Sequence, residues 1–378
     1  DKHLFELDRM EYKYSVSSVN EFTELLRQNF AQSLPLVDFS SDELFYLPNL
    51  ARISTNGMKQ LLSAPASNQS FGLQAMTEEI HATFQIESIH SSRNSIRHIL
   101  NGYAPRNEEE SRIYGMKRGL DFIADRQNTI TEENLHQLYQ ISTGDYLPDE
   151  DRLLPDHFYR HDVVYVVDGE ESREGLPAQQ LPDAMKRLVD FANAKDGINE
   201  LHKAAILHFA FAYYHPYFDG NGRTARLLHL WYLVQQGYPA ALFTPFSRYI
   251  AESKAAYYKA YDRVEKNALI SGYTDVTPFL SYFCNEVYNR LQVDAAPPQA
   301  DLQVYQTALA EGKITEKERL LWEYVLSAYG TEEFTTKQLE KDFRNAAYAT
   351  IRTFVMKFHE MELLVARKTG NRVFYKVK

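Results

Sequence analysis

His215-Pro216-Tyr217-Phe218-Asp219-Gly220-Asn221-Gly222-Arg223-Thr224-Ala225-Arg226 gathers, in one unbroken string, the groups that phosphate chemistry needs. Pro216 disfavours helical geometry at His215, so a preceding helix ends there. Gly220 and Gly222 permit positive φ and let a ligand approach the backbone closely. Their N–H groups, with that of Asn221, can form an anion-binding concavity. A helix is predicted from about Arg223 to Gln236, and its positive end faces the same place. Arg223 and Arg226 lie on one face of that helix. Two guanidiniums beside a loop of free N–H groups suit a polyphosphate. Asp219 offers a hard oxygen to Mg²⁺, which on phosphates needs only one or two protein carboxylates. His215 has an ordinary pKa suited to general-base work. Taken singly, each residue fits a plain helix stop and turn. Gly220 to Ala225 also fits the GxGxxA dinucleotide fingerprint, but that needs a preceding strand, and here an apolar helix precedes it.

The elements that must position this string are mainly helical. Helix-like runs fill residues 18–62, broken by Pro35 and Pro48. Ser63 to Gly72 reads as a loop, and a long helix is predicted from Ala75 to about Leu100. Further helices are predicted over Ser111–Asp125, after the N-cap Thr131, around Met185 to Val189, over Leu201–Tyr214, and from Thr277-Pro278. The 201–214 helix is apolar on most sides and belongs at the centre of a domain. Val163-Val164-Tyr165-Val166-Val167 before Asp168-Gly169 reads as a strand entering a turn, in a chain otherwise nearly without strands. Residues 293–302, with Ala-Ala-Pro-Pro, read as a linker. Helices near 315–329, 336–343 and 345–360 then precede a hairpin that turns at Thr369-Gly370-Asn371. Three helices and a terminal hairpin resemble a winged-helix domain. The expected parts are 1–110, an N-terminal helical region, 111–292, a catalytic core, and 303–378, the winged helix.

Composition narrows the class. With 378 residues, two or three domains are expected. Lys and Arg number 41 against 51 Asp and Glu, a net charge of -10, which argues against a cationic surface built for nucleic acid. Cys284 is the only cysteine, so no internal disulfide framework exists and a reducing, cytoplasmic location is expected. No apolar run suits a membrane helix, and no retained signal peptide is expected. His157 and His161 are four apart, but a zinc site there lacks further ligands. Trp231 and Tyr232 are expected in the core.

The twelve-residue string resembles the Fic motif, HPFx[D/E]GNGRxxR, with Tyr217 where Phe is usual; that side chain is expected to pack inward. The resemblance to Fic-family proteins covers roughly residues 111–290. It includes Ile130 to His136 ahead of a flap, Tyr159-Arg160 with Val163–Val167 as the flap hairpin, and Ser247-Arg248-Tyr249-Ile250 with Lys254 and Tyr257-Tyr258. The resemblance implies a mainly α, Fic-type helical core with a small β-hairpin flap. It implies a nucleotidyltransferase that moves AMP from ATP to a Tyr, Thr or Ser hydroxyl of a target protein or of the chain itself. His215 would take the hydroxyl proton and Asp219 would hold Mg²⁺. Gly220, Asn221, Gly222, Arg223, Thr224, Ala225 and Arg226 would bind ATP, the arginines holding its β and γ groups. Tyr258 would line the adenine end. Val163, Val164, Tyr165 and Val166 would dock an extended target segment by strand addition, although a simply covered hairpin fits that segment equally well.

Thr83-Phe84-Gln85-Ile86-Glu87-Ser88 resembles the family's inhibitory motif, [S/T]xxxE[G/N], with Ser at the sixth position. By that resemblance Glu87 would pair with Arg226, block γ-phosphate binding, and in some relatives orient water to remove AMP; a surface Glu on an amphipathic helix is the plain alternative. Arg367, Lys368, Arg372, Lys376 and Lys378 against Glu362 make the terminal hairpin basic, so the winged helix has DNA or protein as candidate partner. A second copy of the chain is a further candidate partner, and no membrane partner is expected. The competing function is a DNA-binding regulator whose Fic-like core only senses nucleotide. The presence of His215 favours transfer, since a sensor needs no base.

Overall fold

The structure, a computed structural model, describes residues 5–54, 69–168, 171–291, 299–329, 333–370 and 372–378. Its architecture is mainly helical, and the described strands form three separate antiparallel hairpins. At the centre lies the helix Glu200–Tyr214. Apolar side chains cover nearly its whole circumference, and every residue except Glu200 and Ala212 is buried. Asn199 caps it by accepting from the Leu201 N–H at 3.0 Å. The helices Leu181–Asn193 and Asn221–Gln235 pack on it. Trp231 and Tyr232 are buried in this core, as expected.

Two local backbone conditions shape the loop between the central helix and the next. Ahead of Pro216, His215 leaves the helix in the left-handed region, with φ 54° and ψ 60°. The following helix begins at Asn221, ahead of the expected start, with Gly220 as N-cap at φ 79°. A Cβ on Gly220 would also approach the Thr143 side chain to 2.3 Å. Both angle and space therefore require glycine there.

Several elements differ from the sequence expectation. The helical reading of 18–62 holds for Val16–Phe30, but a hairpin of Gln32–Val37 and Glu43–Tyr46 follows. Pro35 sits where the register of that hairpin shifts between Ser33 and Val37, and an irregularity tolerates the missing N–H. The expected 75–100 helix is two helices, Gln69–Ile86 and Arg93–Leu100. The first closes with Ser88 at φ 58°, the Ile89 N–H on the Phe84 carbonyl at 2.9 Å, and the Ser88 N–H on the Gln85 carbonyl at 3.1 Å. This double closure is a Schellman turn, whose left-handed position usually takes Gly or Asn. Of the expected Ser63–Gly72 loop, residues 63–68 lie outside the described residues and 69–72 are helical. The expected strand at Val163–Val167 begins at Tyr165 instead. Tyr165–Asp168 pairs with Glu171–Glu174, a polar strand that no apolar alternation marks. Of the expected 293–302 linker, residues 293–298 are outside the described set, and a helix Gln299–Ala310 begins within it.

One apolar cluster extends from Leu34 to Leu291, and a second from Tyr305 to Leu364. The second is built by Glu316–Ala328, Thr336–Phe343 and Tyr348–Glu360 with the hairpin Leu364–Thr369 and Arg372–Val377. Phe334 adds a further bridge to the hairpin through two 2.8 Å bonds with Tyr375. Thr315 and Glu318 form the expected capping box.

Tyr217, the departure within the motif, is fully buried and stacks on Tyr139 with ring centroids 3.5 Å apart. Its phenol oxygen has no hydrogen-bond partner among the described residues. Tyr217→Phe should therefore leave stability unchanged or raise it by up to about 1 kcal/mol in urea denaturation. A loss above about 1 kcal/mol would mean that the hydroxyl is bonded.

Candidate active site

The residues His215, Asp219, Gly220, Asn221, Gly222, Arg226 and Tyr258 line one cavity of about 830 Å³. Helix ends make this convergence. The central helix delivers His215 at its C-terminus, and the motif helix delivers Arg223 and Arg226 from its first turns.

His215 is held by its own turn. Its Nδ1 faces the Ala212 carbonyl at 3.3 Å. A carbonyl only accepts, so the proton belongs on Nδ1 and the lone pair on Nε2. Burial first, then the Arg173 and Arg160 charges, push its pKa down to about 4, against the Ala212 carbonyl and Asp219. The imidazole is therefore neutral at pH 7 and able to accept a proton.

The loop is braced from inside. The Asn221 side chain accepts from the Tyr217 N–H at 2.9 Å and donates to the Tyr217 carbonyl at 2.8 Å. Its side-chain amide thus spends itself on loop shape. Thr224 donates its hydroxyl to the Gly220 carbonyl at 2.9 Å, and Ala225 is fully buried. Both stand behind the cavity rather than in its lining. Gly222 lies in the helix and does not use positive φ; its value is clearance, since a Cβ there would meet Glu87 Oε1 at 2.6 Å.

Glu87 reaches this clearance from the end of the Gln69–Ile86 helix. Its Oε2 accepts from Arg223 Nε at 2.7 Å, and its Oε1 accepts from Arg226 Nη2. The carboxylate thus takes both arginines, where the sequence pointed to Arg226 alone. Arg223 also donates to Asp219 at 3.0 Å, and Arg226 donates Nε to Thr83 Oγ1 at 2.6 Å. Burial opposes the Arg226 charge, yet Glu87, together with Tyr257 and Tyr258, outweighs it and raises its pKa. One turn earlier, Glu79 accepts from the Ser247 N–H at 2.9 Å and hydrogen-bonds its hydroxyl. Burial raises the Glu79 carboxyl's pKa. Glu79, Thr83 and Glu87 recur every four residues on one helix face, a spacing that could have revealed Glu79. Lys254 donates to Ser88 Oγ at 3.2 Å, and Tyr258 donates to the Ile86 carbonyl at 3.4 Å.

The hairpin borders the same cavity through Tyr165 and Val166. Val163 is exposed and precedes the strand. Val164 extends the ladder by accepting from the Gly175 N–H at 2.9 Å. Arg160, expected within the hairpin, is instead its buried base: it donates to the carbonyls of His215 at 2.8 Å, Asp162 at 2.6 Å and Leu176. Nothing in the spacing marked Arg160 or Arg173. His161 packs edge-on against Phe218, with ring centroids 5.4 Å apart, and His157 bonds the Pro155 carbonyl at 3.0 Å.

In the C-terminal module Arg344 ends one helix in the left-handed region, and the helix expected over 345–360 starts at Tyr348. Several of its basic residues meet acids: Arg367 pairs with Glu333, Lys378 with Glu362, and Lys357 with Glu318.

Residues 129–233 match the family model described as the Fic/DOC family. Protein adenylyltransferase fic-1 of Caenorhabditis elegans is 30% identical over 102 residues, 26% of this chain and 18% of that protein. A probable protein adenylyltransferase of Aquifex aeolicus is 30% identical over 113 residues, 29% of this chain and 35% of that protein. The chain thus spans only about a third or less of the curated relatives it matches. The crystal structure of a Fic family protein from Desulfovibrio desulfuricans superposes with a TM-score of 0.53 at 16% identity, covering 86% of this chain and 97% of that one. This likeness establishes the fold.

Because folding lowers the His215 pKa from about 6.5, its contribution to stability is present above that value and is lost as pH falls toward about 4. An NMR titration of the folded protein should place this imidazole below pH 5; a midpoint near 6.5 would contradict the geometry.

Proposed function

We propose that this chain, which carries a Fic/DOC-family segment at residues 129–233, is a protein adenylyltransferase that moves AMP from ATP to a Tyr, Thr or Ser hydroxyl of a protein. The observation that carries this reading is that a neutral imidazole, the Asp219 carboxylate, the loop residues Gly220, Asn221 and Gly222, and Arg226 line one cavity. The acceptor oxygen attacks the α-phosphorus while its proton passes to His215 Nε2. The bond from that phosphorus to the bridging oxygen breaks, and pyrophosphate leaves. Asn221 and Gly222 offer amides to the phosphates, the Gly220 N–H, which here donates to Asp219 Oδ1 at 2.6 Å, joins them when Asp219 turns to a metal, and Arg223 and Arg226 hold the outer charge. Tyr258 borders the nucleoside end. Little covalent work is asked of the protein, because positioning and charge stabilisation suffice.

The Asp219 side chain, 52% exposed, is a hard donor suited to Mg²⁺. A bound Mg²⁺ would neutralise phosphate charge there. Glu87 serves as a built-in brake: it occupies both arginines at the spot where an outer phosphate would sit. A carboxylate at that spot also suits hydrolysis of an AMP ester, the reverse direction. Residues 303–378 serve as a winged-helix targeting module, joined through 293–302 to a core of 111–292 and an N-terminal region of 1–110. The alternative, a DNA-binding regulator, draws little support from a module whose Arg367, Lys357 and Lys378 already meet acids. Among the described residues no helix is long and apolar enough to cross a membrane.

Incubation with α-labelled ATP and Mg²⁺ tests the reading. Glu87→Gly should label protein at least about tenfold more than the unaltered chain, and adding His215→Ala should reduce that labelling at least about a hundredfold. Equal labelling with and without His215 would refute the assignment.

A further inference from the structure

We propose that Arg173 is the positioning residue of the hairpin, fastening it at the height of His215 so that an acceptor chain can be presented to the imidazole. This inference rests on the reading of the cavity as a transfer site. A two-stranded hairpin is marginal by itself, so something beyond its ladder must hold it. Arg160 secures only its base. Further along, Arg173 stands opposite Val166 in register. Its Nε meets Glu265 Oε1 at 2.6 Å, and its Nη1 donates to the Tyr213 carbonyl at 3.2 Å. The guanidinium also lies over the Tyr213 ring, 5.5 Å from its centroid.

These partners belong to the two walls of the cavity. Tyr213 is on the central helix, two residues before His215. Glu265 is on the helix Lys254–Ser271, which carries Tyr257 and Tyr258. One side chain therefore ties the hairpin to the base-bearing wall and to the nucleoside-bearing wall. The pair is largely shielded, with side-chain exposures of 24% and 28%, so it holds better than a surface ion pair. The strand Tyr165–Asp168 pairs only with Glu171–Glu174 among the described strands, which leaves its other edge unpaired by any of them. An extended acceptor adding to that edge takes its register from the strand. A loosened strand would offer its edge in the docking register less of the time, so the acceptor would bind more weakly.

The test uses the full chain with Arg173→Gln, Arg173→Lys and Glu265→Gln. Amide hydrogen exchange across residues 163–175 should quicken at least about tenfold in Arg173→Gln and Glu265→Gln, and less in Arg173→Lys, which keeps the charge. The melting temperature and the Kd for ATP should stay close to those of the parent. In the Glu87→Gly background, with the His215→Ala chain as acceptor at varied concentration, Arg173→Gln should raise the acceptor KM more than it lowers kcat. Hairpin exchange at the parent rate would overturn the proposal. So would an equal fall in melting temperature and ATP affinity, which would mark a merely structural residue. A parent that transfers no AMP would count against the proposed function, and the exchange measurement would still judge Arg173.

Discussion

Two guanidiniums buried on the first turns of one helix cannot be left without an anion, and the rest of this molecule is arranged around that requirement. Arg223 and Arg226 are 2% and 3% exposed. Removing the only counter-charge from such a buried group typically costs about 3–5 kcal/mol. Glu87 meets the need for both at once, and Arg223 has Asp219 at 3.0 Å as a second anion. Gly222 supplies the room for its carboxylate, and Thr83 fixes the Arg226 fork. The amide-rich start of the same helix faces that anion as well. Under the proposed function the outer phosphate of a nucleotide would compete with this internal carboxylate for the same place.

The placement of Glu87 depends on elements distant from the motif. Its helix is pinned by Glu79 to Ser247 and stopped by a left-handed serine. The next helix, Arg93–Leu100, carries the buried Arg97, whose guanidinium lies 3.8 Å from the centroid of the Tyr324 ring in the C-terminal module. The module thus touches the helix that follows Glu87. Ser88 is the strained member of this chain of contacts. A residue with a Cβ at a left-handed position costs about 1 kcal/mol relative to glycine, which matches the Gly or Asn found there in the motif it resembles.

Much of the site was legible because its residues are contiguous. Pro216 beside His215 announced the helix end, and Gly220 announced the turn. The apolar circumference of Leu201–Tyr214 announced a buried helix. What remained illegible depends on residues brought together by tertiary packing. Arg160 and Arg173 sit far from the motif in sequence and carry no local pattern, so only the fold shows them beside His215. The hairpin at 32–46 escaped notice because Pro35 suggests a helix break as readily as a strand irregularity. The division of the 75–100 helix escaped because Ser88 lacks the glycine that usually marks such a turn. Thr224 and Ala225 belong to the motif by position, yet helix geometry turns them inward.

The proposed brake is a competition between Glu87 and polyphosphate for the same two arginines. The most direct measurement is the melting temperature of the unaltered chain and of Glu87→Gly, each with and without inorganic tripolyphosphate, in the absence of any acceptor. Glu87→Gly should melt lower alone and be raised by the anion by several degrees more than the unaltered chain. Equal anion-induced shifts in the two proteins would contradict it.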